Sequence, residues 1–245
     1  MKGLYKIADK IIEINSLYGE VHAMCAEYSC EGAPEFTVET TEKDVAFERE
    51  RSAAEDAAQG RKPVSYSSQY LETLAVYRKI ADKMLEFDTI LFHGSAIAVD
   101  GEAFLFTAKS GTGKSTHTRL WRELFGERAV MINDDKPLIK ITEKGAFVYG
   151  TPWNGKHKLG ANASAPLRAV CVLTRAKENR ITKTDKKSVY PMLIQQTHRP
   201  KNALLMSKML ALADMLASSV GLYVLGCNMN PEAARVAYEG MKNDA

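Results

Sequence analysis

Cysteine is scarce in this chain, long apolar runs are missing, and aromatics make up only 8% of its residues. Each shortage excludes something. The four cysteines, Cys25, Cys30, Cys171 and Cys227, form no C-x-x-C pair, which argues against a zinc ribbon. Cys171 and Cys227 lie in apolar runs and read as small buried hydrophobes, while Cys25 and Cys30 would bridge only in an oxidising compartment. No stretch approaches the ~20 uncharged apolar residues of a spanning helix, so no membrane partner is expected. The opening MKGLYKIADK has no apolar signal-peptide core, and the expected location is cytoplasmic. No stripe of aromatics interleaved with basic side chains is visible, so no nucleic-acid partner is expected.

What is present suits a folded domain with an appended lobe: 245 residues, 45% hydrophobic and 26% charged. The net charge of +3 hides an asymmetry. Residues 1–90 carry 11 basic and 17 acidic side chains, a net of −6; residues 91–245 carry 22 and 13, a net of +9. A basic half suits a polyanion such as a nucleoside triphosphate.

Residues 4–47 alternate around Tyr5, Ile7, Ile11, Ile12, Ile14, Val21, Ala23 and Cys25, with turn signals between, and predict short antiparallel strands. Glu48–Gly60 is polar and Ala-rich, a surface helix or a loop. Tyr70, Leu74, Tyr77, Ala81 and Met84, with Leu71, Ile80 and Leu85, make one apolar stripe and predict a helix over 68–86, its aromatics in the core. Ser67 or Ser68 can cap it. Ile90–Val99 and Glu102–Thr107 flank Asp100-Gly101, a strong hairpin signal. Beyond them the pattern predicts a helix (114–125), a strand (129–133), a hairpin around 143–145, a buried strand (168–174) that Pro166 can start, a helix (201–219), a strand (221–226) and a helix (232–242).

The most informative segment is Ala108-Lys109-Ser110-Gly111-Thr112-Gly113-Lys114-Ser115-Thr116, set between the hairpin and a helix. It fits G-x-x-x-x-G-K-[ST] except that Ala108 takes the first glycine's place. Gly111 and Gly113 permit positive φ and close approach of backbone amides to phosphate oxygens, at a helix N-terminus whose dipole favours anions. Lys114 would reach the β- and γ-phosphates and Ser115 the Mg²⁺. Asp134 and Asp135 end an apolar strand, Asp134 lying 19 positions beyond Ser115. A carboxylate there can hold Mg²⁺, and a second can take the proton from an attacking hydroxyl. His93-Gly94 interrupts the strand leading to the loop, which puts His93 either in the core or beside the γ-phosphate. His117 reads as structural or exposed. Thr151–Lys158, with Trp153, Gly155, Lys156 and Lys158, reads as a mobile loop that closes on phosphate or substrate.

His93-Gly94, the Asp-Gly hairpin, Ser110–Ser115 and the strand ending in Asp134-Asp135 together resemble the HPr kinase/phosphorylase catalytic domain. The wider set includes the ATP-dependent phosphoenolpyruvate carboxykinases. The resemblance covers about residues 88–140, continues weakly to 242 and hardly reaches before 65. It implies an α/β fold with a mixed, largely antiparallel sheet around a P-loop (residues 66–245); the short strands read in residues 1–65 make a small β-rich N-terminal lobe beside it. It implies ATP and Mg²⁺ as cofactors, with Lys114 and the loop through Thr116 on the phosphates, Ser115 and Asp134 serving the metal, and Asp135 as the catalytic carboxylate partnered by His93. The resemblance leaves open the exchange of roles between the two aspartates. The implied reaction is transfer of the γ-phosphoryl group to a serine-type hydroxyl of a protein, peptide or small molecule. A nucleotide-binding regulatory module without transfer is the alternative, and an oligomer is compatible with either.

Overall fold

Period-two alternation and a tight turn build the first elements. Strand β1 (Lys2–Ile7) pairs antiparallel with β2 (Lys10–Asn15). Ala8 and Asp9 between them hold φ of 48° and 65°, the left-handed backbone that a two-residue hairpin loop requires. Tyr5, Ile7, Ile12 and Ile14 are buried. The third strand departs from the expected antiparallel set: β3 (Phe36–Glu39) runs parallel to β2. A parallel neighbour needs a crossover, and this one holds a short helix, α1 (Glu20–Met24). Val21, Cys25 and Tyr28 are buried while Ala23 is exposed. Their spacing of four and three is a helical face, and it overrides the alternation that predicted a strand there.

Two helices complete this part. The polar segment beyond Glu48 is helical, within α2 (Glu42–Ala58). The amphipathic stripe forms α3 (Ser68–Met84), opened by Ser67, whose Oγ accepts from the Tyr70 amide at 3.2 Å. Leu71, Tyr77, Ile80, Ala81 and Met84 are buried as expected. Tyr70 is not: in the first turn it is exposed and lies against Tyr66, ring centroids 5.2 Å apart. Arg78 to Glu48 (2.7 Å) and Lys79 to Asp44 (2.8 Å) join α3 to α2. Glu72, fully buried, accepts from the Leu17 amide (2.6 Å), the Tyr18 amide (2.9 Å) and the Thr40 hydroxyl (2.5 Å).

This computed structural model describes residues 1–58 and 60–242. The chain divides into two compact units, Met1–Lys83 and Met84–Ala245. The division falls at the last residue of α3, between 83 and 84, and not at the expected 65/66. Residue 59 of the polar segment, and 243–245 of the expected second domain, lie outside the described residues.

The second unit is a mixed α/β structure around a curled sheet. Its elements are β4 (Thr89–Leu91), β5 (Ser95–Val99), β6 (Glu102–Thr107), α4 (Lys114–Phe125), β7 (Ala129–Asn133), β8 (Leu138–Thr142), β9 (Gly145–Tyr149), β10 (Ser164–Arg175), β11 (Arg180–Lys183), α5 (Lys186–Gln196), α6 (Ala203–Ser219), β12 (Gly221–Cys227) and α7 (Glu232–Lys242). The order runs β4-β8-β9-β10-β6-β5-β7, with β12 and then β11 added beside β10. β10 is the hub. Its first residues pair antiparallel with β9, and the rest pairs parallel with β6 and with β12. Every other pairing in this unit is antiparallel among the described residues. The apolar run Ile90–Val99, read as one strand, is two: β4 pairs with β8 and β5 with β6 and β7, and Phe92–Gly94 forms the break. β11 and α5 carried no signal the sequence reading used.

Strand alternation sorts the core onto two faces. Ala96, Ala98, Ala103 and Leu105 face α5 and α6, packing with Val189, Leu193, Leu212 and Leu216. Ile97, Val99, Phe104 and Phe106 face α4 and α7, packing with Leu120, Trp121, Ala233 and Ala237. In β10 the alternation slips: Leu167 and Val170 share the first face, Ala169 and Cys171 the second. The cause is a register shift between Leu167 and Ala169, one extra residue that reverses the facing of all that follow. Asp100 and Gly101, at φ 53° and 86°, close the β5–β6 hairpin. Among the described residues no helix is long and apolar enough to cross a membrane.

Glu72 supports one prediction. Glu72→Ala removes a charged acceptor from three donors, so chemical denaturation is expected to report a loss of about 3 kcal/mol or more. A loss under about 1 kcal/mol would show that the network contributes little.

Candidate functional site

The loop between β6 and α4 is shaped by its glycines. Gly111 and Gly113 hold φ of 76° and 122°. A short turn, Thr112 amide to Lys109 carbonyl at 3.2 Å with the Thr112 hydroxyl on the same oxygen at 2.8 Å, folds the loop over. Gly113 begins α4, and no side chain caps that end. The free amides of the first turn therefore face outward with the positive end of the helix dipole. Ser110 and Ser115 are exposed; Thr112, Lys114 and Thr116 are half-buried. Lys114 Nζ lies 3.4 Å from the Ala108 carbonyl. Burial depresses the Lys114 ammonium's pKa, and the Asp135 carboxylate partly restores it.

Asp135 comes from the end of β7, and the turn that aims it is built by Asn133. Asn133 is fully buried. Its Oδ1 accepts from the amides of Asp135 (2.8 Å) and Lys136 (2.6 Å), a side-chain turn that ends the strand. Its Nδ2 reaches the Thr151 carbonyl (3.2 Å), the Thr151 hydroxyl (3.1 Å) and the Trp153 carbonyl (3.4 Å). The turn sends the two carboxylates to different partners. Asp135 Oδ1 is 3.2 Å from His93 Nε2, and Oδ2 is 2.5 Å from Lys136 Nζ. Burial alone would raise the Asp135 pKa, but the His93 hydrogen bond and the Lys136 charge outweigh it and hold the carboxyl well below the usual range. Asp134 is buried, and its Oδ1 accepts from the Gly155 amide at 2.7 Å. A Cβ at position 155 would stand 3.0 Å from Asp134 Oδ2, so a larger residue there would press on the carboxylate.

His93 sits in the break between β4 and β5. Its amide donates to Gln196 O (2.7 Å), its carbonyl accepts from the Thr107 hydroxyl (3.2 Å), and the next amide, Gly94, donates to Asp135 O (3.0 Å). The break is thus tied to the end of β6 and to the acidic turn, and the imidazole projects half-exposed rather than into the core.

The segment after β9 differs from the open loop the sequence suggested. Thr151, Pro152 and Trp153 are buried, held through Asn133 and by the Thr151 hydroxyl on the Lys136 carbonyl (2.8 Å). Lys156, His157 and Lys158 are exposed. The structure gathers His93, Asp134, Asp135 and Gly155. The Trp153 side chain is packed away, and the Lys156 and Lys158 side chains are exposed, while the Lys158 amide donates to the Gly155 carbonyl at 3.0 Å.

Asn133, Thr151 and Lys136 were not singled out from sequence, and neither was Arg175. An Asn before two aspartates at a strand end is a turn signal that would have flagged the first. His117, expected to be structural or exposed, is buried: its Nε2 accepts from Trp121 Nε1 at 3.0 Å and its ring stands edge-on to Phe106 at 4.6 Å. That leaves Nδ1 protonated and, among the described residues, without a hydrogen-bond partner, and burial pushes the imidazole's pKa down to about 4.

No protein-family model matches this chain, and no curated protein matches it. Among solved structures it is similar to the HPr(Ser) kinase/phosphatase from Coxiella burnetii, at 8% identity and a TM-score of 0.36, over 62% of this chain and 92% of that one. The similarity is a distant structural one.

Two outcomes follow from the site's geometry. Asn133→Ala strands two amides of the acidic turn and is expected to cost about 2–4 kcal/mol by denaturation; a change below about 0.5 kcal/mol would show the turn holds without it. His117 titrates near 6.5 when unfolded and near 4 when folded. The unfolded chain therefore binds the proton first as pH falls, so the stability from neutral His117 is complete above 6.5 and lost between 6.5 and 4. Against His117→Gln, the wild-type profile is expected to fall further across that window, by on the order of 3 kcal/mol. Parallel profiles would refute it.

Proposed function

We propose that the chain is an ATP- and Mg²⁺-dependent kinase that transfers the γ-phosphoryl group to a serine-type hydroxyl of a protein, peptide or small molecule. The observation that carries this reading is the His93–Asp135 pair, tied through the Thr107 hydroxyl to the end of β6, where the uncapped glycine-rich loop begins.

The residues present fit both groups. For the nucleotide, added Cβ atoms at Gly111 and Gly113 would meet nothing within 4 Å, so the loop backbone is open to phosphate. For the metal, Asp134 offers Oδ2 while Gly155 holds Oδ1, and Ser115 offers an exposed hydroxyl, both hard oxygen donors. Among the described residues no three His, Cys, Asp or Glu side chains are grouped to hold a metal alone, so the ion would be completed by phosphate oxygens. When bound it would neutralise charge on the β- and γ-phosphates.

The chain's own groups supply the rest. Lys114 and the loop amides hold the phosphates. His93 fixes the orientation of Asp135 through the 3.2 Å contact. Asp135, ionised at neutral pH, accepts the hydroxyl proton as the bond from the acceptor oxygen to the γ-phosphorus forms and the bond to the β,γ-bridging oxygen breaks, ADP leaving with that electron pair. Its low basicity suits a loose transition state, in which that proton leaves late and positioning matters more than base strength.

Asp135→Asn tests the reading. With radiolabelled ATP and a screen of serine-containing proteins, peptides and small alcohols, the variant is expected to bind ATP within a few-fold of wild type and to lose about 10²–10⁴ in transfer rate. Transfer near the wild-type rate would overturn Asp135 as base. Tight ATP binding by wild type with no product from any acceptor would favour the regulatory module.

A further inference from the structure

β6 and β10 lie side by side in parallel, with Val172 of β10 beside Thr107 of β6. Past that point β6 opens into the glycine-rich loop, while β10 runs three residues further and ends in Arg175. Topology thus delivers an arginine to the loop's flank. Arg175 Nη2 donates to the Gly111 carbonyl at 2.6 Å. That carbonyl has no donor from within the loop, because the loop's own turn uses the Lys109 carbonyl.

The remainder of this guanidinium is uncommitted. Arg175 is exposed, and among the described residues the bond to Gly111 is its guanidinium's only hydrogen bond and the guanidinium has no carboxylate partner. Other arginines in this unit are neutralised: Arg128 by Asp100 (2.5 Å) and Arg168 by Glu102 (3.0 Å). A cation fixed at one N–H by a backbone oxygen keeps a planar set of donors already oriented, which suits phosphate oxygens.

We propose that Arg175 is a second cationic ligand of the nucleotide's polyphosphate, anchoring the loop at Gly111 with one N–H and meeting the phosphate tail with the others. The proposal rests on the nucleotide reading of the loop and deepens it: Lys114 approaches from the helix side, Arg175 from the neighbouring strand. It also separates nucleotide affinity from acceptor recognition, since Arg175 is not among the groups gathered around His93 and Asp135.

Titration calorimetry with Mg²⁺·ATP and with AMP tests it on wild type, Arg175→Ala, Arg175→Lys and Lys114→Ala. Arg175→Ala is expected to weaken ATP about 10- to 100-fold and AMP much less, because AMP lacks the outer phosphates. Arg175→Lys keeps the charge without the fork and should recover part of the loss. In transfer assays the KM for ATP should rise while the KM for the acceptor stays unchanged. Thermal melting of Arg175→Ala should match wild type, as expected for an exposed side chain. ATP affinity within two-fold of wild type in Arg175→Ala, while Lys114→Ala loses it, would overturn the proposal and leave the nucleotide reading intact. Equal losses for ATP and AMP would overturn it too, showing a merely structural anchor. Wild type that binds no ATP would defeat the nucleotide reading, and this proposal with it.

Discussion

One buried amide decides the geometry of the candidate site. Asn133 uses its oxygen for two successive amides and its nitrogen for the Thr151–Trp153 segment. Without that arrangement β7 would continue, and Asp134 and Asp135 would point to opposite faces as strand residues do. With it, the backbone turns, Asp135 meets His93 and Asp134 meets the Gly155 amide. A buried side-chain amide so fully satisfied is rigid, because each alternative orientation strands a donor or an acceptor where no water replaces it. The site's precision begins with hydrogen bonding in the core, one residue before the carboxylates themselves.

The sheet supplies the second constraint. β10 is long enough to serve two neighbourhoods, β9 at its start and β6 with β12 beyond. The register shift after Leu167 lets both keep their apolar residues inward, so α4 and α7 pack on one face and α5 and α6 on the other. Because β6 and β10 are parallel, their C-terminal ends emerge together. The glycine-rich loop and Arg175 are neighbours for that reason alone. The β5–β6 hairpin acts similarly on the other side: it returns the chain so that His93, before the hairpin, stands next to Thr107, where the loop begins.

Much of this was legible in residues. The glycine pair, Asp100-Gly101 and the stripe of α3 are local signals, and the structure forms a tight loop, a hairpin and a helix there, because positive φ and helical periodicity are properties of short segments. Local signals failed where distant partners decided. Val21, Ala23 and Cys25 alternate like a strand but fold as a helix, since only the i, i+4 pair finds the core. Tyr70 carries the stripe's periodicity yet is exposed in the first turn, against Tyr66, while Leu71 beside it in sequence is fully buried. Trp153 looked like part of a mobile loop and is packed away, because the amide that holds its backbone belongs to a strand twenty residues earlier.

The sequence by itself determined the glycine-rich loop, the helix after it and the acidic pair at the end of a strand, because turn chemistry and apolar period act over a few residues. Only the tertiary structure decided which acid pairs with His93, that Asn133 builds the turn, and that Arg175 stands over Gly111. These depend on strand order and register, which are fixed by the burial of two apolar faces across the whole second unit and leave no mark within any single segment.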